Sequence, residues 1–433
     1  MADTAHIAAT SVHQAETLLF FTLLQLTVII LAARMGGAVA KRLGQAAVVG
    51  EIVTGILLGP SLFGWLTPEM FDWVFRSAPP APMQILSQIG LLLLMFQIGL
   101  EFDFAHLGER QHRRTVTWVA GASLILPFIL GFGFGWFAAP PPTASADPLI
   151  GGLFVATAFS ITALPILGRI MIEFHLTRTA LGVIAISAAA INDVVGWLLL
   201  ALVSTLAISQ LDPLAFALKI MLVGLFFVVS WWGVRPIARR IVRMARPSRY
   251  RLPPNLLGVL LALIFVAGMT TYKLGIFAIF GGFLMGVILH DQHGLREAWA
   301  AKVGHFVAVF FLPVFFTYTG LRTDIGSLDS VGAWGLCVLA IFLATAGKFI
   351  GAYLAARRAG LGHHESSILG IMMNTRALME LVVINVGYDL GVISGETFTM
   401  LVIMAIFSTV ITTPFLRLWL PRIGHELPTA IRE

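Results

Sequence analysis

The sequence divides into apolar runs that follow one another from end to end, each about the length that crosses a bilayer. A hydrocarbon core about 30 Å thick needs roughly 20 apolar residues per helix. Inside lipid every backbone amide and carbonyl must be satisfied within the protein. Thirteen such segments are read, at about 17–34, 46–64, 83–100, 115–138, 149–171, 180–208, 213–234, 255–272, 275–290, 303–321, 331–356, 366–388 and 396–419. They leave an all-α polytopic membrane protein as the fold class. Only 12% of residues are charged, against about 25% in soluble domains. The opening MADTAHIAATSVHQAE is polar without a basic region, so segment 1 reads as an uncleaved helix and not a signal peptide. A single cysteine, Cys337, excludes an internal disulfide framework and a Cys-rich metal site.

The net charge of +6 would suggest nucleic acid if the basic residues were not confined to short loops. One side receives Arg34, Lys41, Arg42, Arg110, Arg113, Arg114, Arg169, Arg178, Arg296, Lys302, Arg357, Arg358, Arg417 and Arg422. It also receives the stretch RPIARRIVRMARPSRYR, from Arg235 to Arg251. The other side has Arg76, Lys273 and Arg322, with Lys219 near a segment end. The asymmetry puts the N-terminus outside and the C-terminus in the cytoplasm, across a plasma membrane (the inner membrane in a bacterium). Arg235–Arg251 is expected as a cytoplasmic loop that fixes topology and touches lipid headgroups. Membrane lipids are therefore expected partners, and nucleic acid is not.

GLEFD (99–103) closes segment 3 and GLRTD (320–324) closes segment 10, at opposite faces. A similar offset carries TAFSITALPIL (157–167) onto NTRALMELVVI (374–384). Segments 1–6 and 8–13 thus read as two repeats of inverted topology, with segment 7 as linker. Such repeats with paired interrupted helices point to a secondary transporter whose site lies near the midplane. In segment 5, Pro165 removes an amide donor while Thr157, Ser160 and Thr162 offer hydroxyls. In segment 12, Asn374, Thr375, Arg376 and Glu380 interrupt the apolar run. The breaks are expected over Thr157–Pro165 and Asn374–Glu380, crossing at one depth near Asp193 and Lys348. Each broken helix presents a positive N-terminal and a negative C-terminal half-end.

Asp193 lies mid-segment in SAAAINDVVGWLLLALV (187–203). A carboxylate there costs about 2.5–3.5 kcal/mol on an insertion scale, and such residues are functional by default. Desolvation penalises the anion, so Asp193 can take up a proton or a cation in turn. It is the candidate ligand for Na+ or K+. Asn192 can ligand a cation or cap a helix break. Lys348, in the middle of segment 11, needs a counter-charge, either Asp193 or a C-terminal half-end. It reads as structural neutralisation that also tunes Asp193. Arg376 and Glu380 are four apart and share a helical face, as an ion pair within segment 12. Glu51 and Gln97 are polar residues in apolar segments that could line a pathway. GFGFG (131–135) lies inside a segment and reads as close helix packing. His363 and His364 lack metal-ligand spacing. With no nucleophile set, P-loop or Walker lysine, neither an enzyme nor an ATP-driven pump is read, and no cofactor is expected.

Taken in order, VVGEIVTGILLGPSLFG, FQIGLEFD, ATAFSITALPILGRIM, AAAINDVVGWLLLAL, AGKFIGAYLAA and MNTRALMELVVINVGYDLGVIS resemble the monovalent cation:proton antiporters of family 2. The likeness is strongest to the plant-type cation/proton exchangers and their bacterial relatives. It covers about residues 17–420. The resemblance implies a thirteen-helix antiporter fold working as a homodimer. Segments 1–3 and 8–10 would form a dimerisation domain, and segments 4–6 and 11–13 a core that moves like an elevator. Asp193 matches the family's ion-carrying aspartate, Lys348 the basic residue beside the crossed helices. Thr157 and Ser160 match one crossover and Asn374, Thr375 and Arg376 the other. Many relatives have two adjacent aspartates where this chain has Asn192-Asp193. Many also carry a cytoplasmic nucleotide-binding domain, where this sequence stops shortly after its last segment.

The expected domains are 1–114 and 253–325 for dimerisation and 115–209 and 326–420 for the core. Residues 210–252 form a linker helix with a basic loop, and 421–433 a cytoplasmic tail. The function read is proton-coupled antiport of Na+ or K+, electroneutral because Asn192 does not titrate. The rivals are a sodium-coupled organic-anion symporter of similar architecture and a cation channel.

Overall fold

A computed structural model describes residues 2–45, 47–101, 113–143, 147–176, 179–209, 213–249, 251–274, 277–376 and 378–425. Among them the regular structure is helical, apart from one isolated bridge between Ser248 and Arg251. Every apolar segment overlaps helix, but the described helices do not form thirteen uniform spans. Among the described residues eight helices are long and apolar enough to cross a membrane, or nine if the pair His293–Gly304 and Val307–Ser327, bent by 42°, counts as one. Segments 2 and 9 are short helices, Ala47–Leu57 and Ala278–Ile288. Segments 5 and 12 are broken in two, as Pro148–Ser160 with Leu164–Glu173 and His363–Met373 with Leu378–Asp389. The short helices stand second in each half and the broken ones fifth, so the order itself repeats. The Asp103 end of the first GLxxD motif lies outside the described residues. In the second, Asp324 caps a short turn, its carboxylate accepting from the Gly326 amide at 2.9 Å.

Local chemistry sets the helix starts. Asp147, Thr179, Ser330 and Ser394 each accept a first-turn amide, at 2.8 Å from Leu149, 3.1 Å from Gly182, 3.0 Å from Ala333 and 3.1 Å from Thr397. These caps satisfy donors that have no partner within the helix. Packing then sorts the segments into two groups. Segment 1 packs on 2, 2 on 10, 3 on 9 and 10, and 8 on 9. Segment 4 packs on 5, 6 and 11, and segment 13 on 11 and 12. Segments 3 and 9 approach so closely at Gly99 and Gly286 that a Cβ on Gly99 would stand 2.9 Å from the Gly286 Cα. Only glycine fits such a backbone contact.

The basic stretch departs from expectation. Arg235–Ala245 is helical and continues segment 7 through a π-pitched turn at Ser230–Val234. Arginine is a good helix former, and Ala238 and Val242, four apart, are buried on one face. Arg235 lies 3.9 Å over the Trp231 ring, and Arg239 pairs with Asp291.

A candidate ion site at the crossed helix breaks

The break in segment 5 is narrower than expected. Only Ile161–Ala163 leave the helix. Pro165 sits in the first turn of the second half, where its missing amide leaves no bond unmade. Thr157 and Ser160 lie in the first half, and their hydroxyls donate to Leu153 O at 2.8 Å and Ala156 O at 2.7 Å. In segment 12 the described residues outside the helix are Asn374, Thr375 and Arg376. The two breaks meet directly. The Ala163 amide donates to Thr375 O at 3.0 Å, and Thr162 Oγ1 donates to Met373 O at 3.3 Å. Each break thereby supplies backbone partners that the other lacks, as membrane-embedded irregular backbone requires.

Four half-ends converge here, and the ionisable residues distribute over them. The first half of segment 5 ends in exposed carbonyls. Lys348 donates to Ser160 O, and Arg376 Nη1 to Ala158 O at 3.0 Å. Both cations therefore stand at the negative end of one half-helix. The first half of segment 12 ends at Met373 and is met by hydroxyls: Thr375 Oγ1 donates to Met372 O at 2.9 Å and Thr412 Oγ1 to Ile371 O at 3.5 Å. At the positive ends stand carboxylates. Glu380 is in the first turn of Leu378–Asp389. Asp193 feels the Leu164 amide, which opens Leu164–Glu173, and the Lys348 ammonium.

The expected Arg376–Glu380 pair forms, at 3.3 Å and fully buried. Its setting differs from that expected, because Arg376 lies in the break and not on a shared helical face. Its guanidinium also donates to Ala344 O at 3.0 Å, tying segments 5, 11 and 12 together. Lys348 spends its hydrogen bonds on Ser160 O and on Thr162 Oγ1 at 2.7 Å. Asn192 Nδ2 donates to Ser123 Oγ at 2.9 Å and reaches Thr162 Oγ1 at 3.5 Å. Thr162 thus accepts from both and donates to Met373, using all the capacity of a hydroxyl.

Asn374 Oδ1, Glu380 Oε2 and Arg376 Nε are buried without a partner among the described residues, and Asp193 goes further. Both its carboxylate oxygens are buried and neither meets a donor in full hydrogen-bonding geometry among the described residues, the nearby Leu164 amide included. The adjacent Asn192 Oδ1 is likewise unpartnered. Buried oxygens in folded proteins are almost always bonded, and an orphan carboxylate between a lysine and a helix start has the chemistry to hold a proton or a small cation.

Asn374 Nδ2 donates to Ser408 O at 3.4 Å, and the Arg376 amide to Thr409 Oγ1 at 3.2 Å. Glu51 pairs with Arg34 at 2.8 Å and Gln97 donates to Glu101 at 2.9 Å, so these contacts belong to segments 1–3. Sequence reasoning missed Ser123 and the hydroxyls of segment 13. The hydroxyl-rich STVITTP run at 408–414 was the signal available for the latter.

The fold has a solved counterpart. The sodium proton antiporter MjNhaP1 of Methanocaldococcus jannaschii matches with a TM-score of 0.64 at 14% identity, over 94% of this chain and 99% of that one. Curated relatives are nearer in sequence. The Na(+)/H(+) antiporter NhaS4 of Synechocystis is 37% identical over 94% of this chain and 99% of its own length. Cation/H(+) antiporter 17 of Arabidopsis thaliana is 38% identical over 90% of this chain, which spans only 47% of that longer protein. The K(+)/H(+) antiporter 1 of Saccharomyces cerevisiae is 28% identical over 87% of this chain and 44% of its own length. Residues 28–420 match the family described as sodium/hydrogen exchanger, transmembrane. The chain, a multi-pass membrane protein with crossed broken helices in two inverted repeats, belongs to the sodium/hydrogen exchanger family.

Proposed function

We propose that this protein exchanges Na+ or K+ for protons, with Asp193 as the group on which the two compete. The observation that carries the reading is the buried Asp193 carboxylate with both oxygens unbonded beside the crossed breaks. Asn192 Oδ1, Thr157 and Ser160 are the neutral oxygens expected to complete the site. Lys348, Arg376 and Glu380 balance the half-ends, Asn374 and Thr375 shape the second break, and Glu51 and Gln97 border the route. Relatives that are Na(+)/H(+) and K(+)/H(+) antiporters support the ion pair of the reaction.

Alternating access follows from the same reading. Segments 4–6 and 11–13 move as a core past segments 1–3 and 8–10, which pair two copies in a homodimer. The N-terminus lies outside and the C-terminus in the cytoplasm, as the basic residues indicate. Exchange is electroneutral, because one carboxylate carries either one proton or one monovalent ion and the neighbouring Asn192 is an amide. The membrane potential acts on net moved charge at about 2.3 kcal/mol per charge per 100 mV, so it gains little purchase on such a carrier. The test is dissipation of a pH gradient in proteoliposomes by Na+, K+ and Li+ in turn. Proton efflux on adding at least one of these cations, without organic solute, is expected. Gradients that persist under all three would refute the proposal.

A further inference from the structure

A second polar network lies at the opposite end of the helix that leaves the crossing. The second half of segment 12 runs from Leu378 to Asp389. Asp389 lies nine residues beyond Glu380, about 14 Å further along the axis at 1.5 Å per residue. There Asp389 Oδ1 meets Arg322 Nη1 of segment 10 at 2.6 Å. The same guanidinium donates to Asn385 Oδ1 at 3.3 Å and to the Tyr318 hydroxyl, and its centre lies 4.2 Å over the Tyr318 ring and 5.4 Å over Tyr388. Asn385 Nδ2 in turn donates to Thr319 Oγ1 at 2.9 Å. Segments 10 and 12 are joined here by an arginine held on several sides.

Asp389 also borders a small space of about 10 Å³, whose polar lining is Ser87, Gln88, Tyr318, Asn385 and Asp389 and whose remaining walls are six apolar side chains of segments 3, 9, 10 and 12. A volume of that size holds about one water molecule. It lies between segment 3, segment 10 and the face of segment 12 on which Asn385 and Asp389 stand one turn apart. A space of one water, walled in good part by apolar side chains, passes no hydrated cation, so a route here is shut. The pair is also separable. Its side chains keep 18% and 22% of their exposure, so water can replace each partner. The fully buried Arg376–Glu380 pair offers no such exchange.

We infer that the Arg322–Asp389 ion pair is the outer gate of the ion route, closed in this structure, and that its opening admits a monovalent cation past Asn385 toward Asp193. The inference rests on the alternating-access reading above. An arginine suits the task, because its fixed charge repels cations while it holds Asp389, which lines the chamber, and its withdrawal leaves Asp389 free to attract them.

The test uses full-length protein with Cys337→Ala and Ser87→Cys, in right-side-out membranes, and a membrane-impermeant cationic methanethiosulfonate added outside. Labelling of the Ser87→Cys site is expected to be slow in this parent. Adding Arg322→Gln or Asp389→Asn is expected to speed it by at least about tenfold, a gate weakened by ~1.4 kcal/mol. The charge swap, Arg322→Asp with Asp389→Arg, should slow it again. Cation-driven proton flux is measured on every variant, so that folded protein is scored. Labelling that is unchanged in both single variants of a protein that still exchanges, or a swap no slower than the singles, overturns the gate. A parent that moves no protons when cation is added overturns the exchange reading instead.

Discussion

Asp193→Asn separates a transport role from a structural one. The substitution keeps the size of the side chain and removes only its charge and its proton. Two consequences follow from the geometry. The first concerns binding. A unit charge about 4 Å away contributes roughly 4 kcal/mol at an effective dielectric constant near 20, which is about a thousandfold in affinity. Neither Asp193 oxygen is held in a direct side-chain bond, so most of that attraction is available to a cation, less what the nearby Lys348 ammonium offsets. Losing it should weaken cation binding by about three orders of magnitude. The amide also does not titrate, so the return half of the cycle is lost, and exchange should fall to the background of empty liposomes.

The second consequence concerns stability. Removing the buried charge relieves a desolvation cost and gives up the attraction of the Lys348 ammonium and the Leu164 amide, two opposed contributions. Asp193→Asn should therefore unfold within a few degrees of the wild-type temperature. The assay pairs Na+- and K+-driven proton efflux in proteoliposomes with thermal unfolding of the purified protein and isothermal measurement of cation binding. Wild-type efflux in the variant would refute the site. A variant that is inactive and also several degrees less stable would refute the reasoning, because Asp193 would then be a structural partner in a bond the geometry does not contain.

Three further outcomes are expected. Asn192→Asp adds a second titrating group beside Asp193, so transport should become dependent on an imposed potential and give a sustained current on a supported membrane; continued indifference to potential would contradict the electroneutral account. Arg376→Met strands Glu380 and should cost about 3–5 kcal/mol, as breaking a buried pair does, whereas Arg376→Met with Glu380→Leu should recover most of that loss in chemical unfolding; additive losses would mean that the pair is not coupled. Thr162→Val removes the hydroxyl shared by Lys348, Asn192 and Met373 and should cut exchange at least tenfold, about 1.4 kcal/mol, with Thr162→Ser restoring it; equal activity in the two variants would show that the shared hydroxyl is dispensable.

The segments were legible because the bilayer imposes a length, and the breaks because polar residues and Pro165 interrupt apolar runs in two corresponding places. What the breaks do in detail was less legible. Thr157 and Ser160 read as crossover hydroxyls, yet both back-bond to the preceding turn of their own helix, an option open to any helical threonine or serine. Thr162, three residues from Pro165, is the true junction between the breaks. Arg376 and Glu380 matched a helical spacing, but a spacing argument assumes a continuous helix, and Arg376 stands where the helix stops. Arg235–Ala245 looked like a loop because its charge density dominates the reading. Its helical character lies in the two buried positions between the arginines. Arg322, Asn385 and Asp389 gave no signal that would join them, since their contact depends on how segments 10 and 12 meet.

The arrangement of charges at the crossing explains why one carboxylate is left alone. Four half-ends carry partial charges of about half a unit each, and the chain supplies two cations and two carboxylates to meet them. Pairing each lysine or arginine with an acid would have filled every valence. Here both cations turn instead to the carbonyls of one half-end, at Ala158 and Ser160. Arg376 can do so and still bind Glu380, because a guanidinium has five donors in a fork. Lys348 has three, and two are taken by Ser160 O and Thr162 Oγ1. On the proposed reading, a direct Lys348–Asp193 bond would place an ammonium where the cation would sit, so that each ion would compete with a tethered rival at very high effective concentration. Anchoring Lys348 on a helix end keeps its positive field near Asp193 without occupying the oxygens that would receive the cation on that reading.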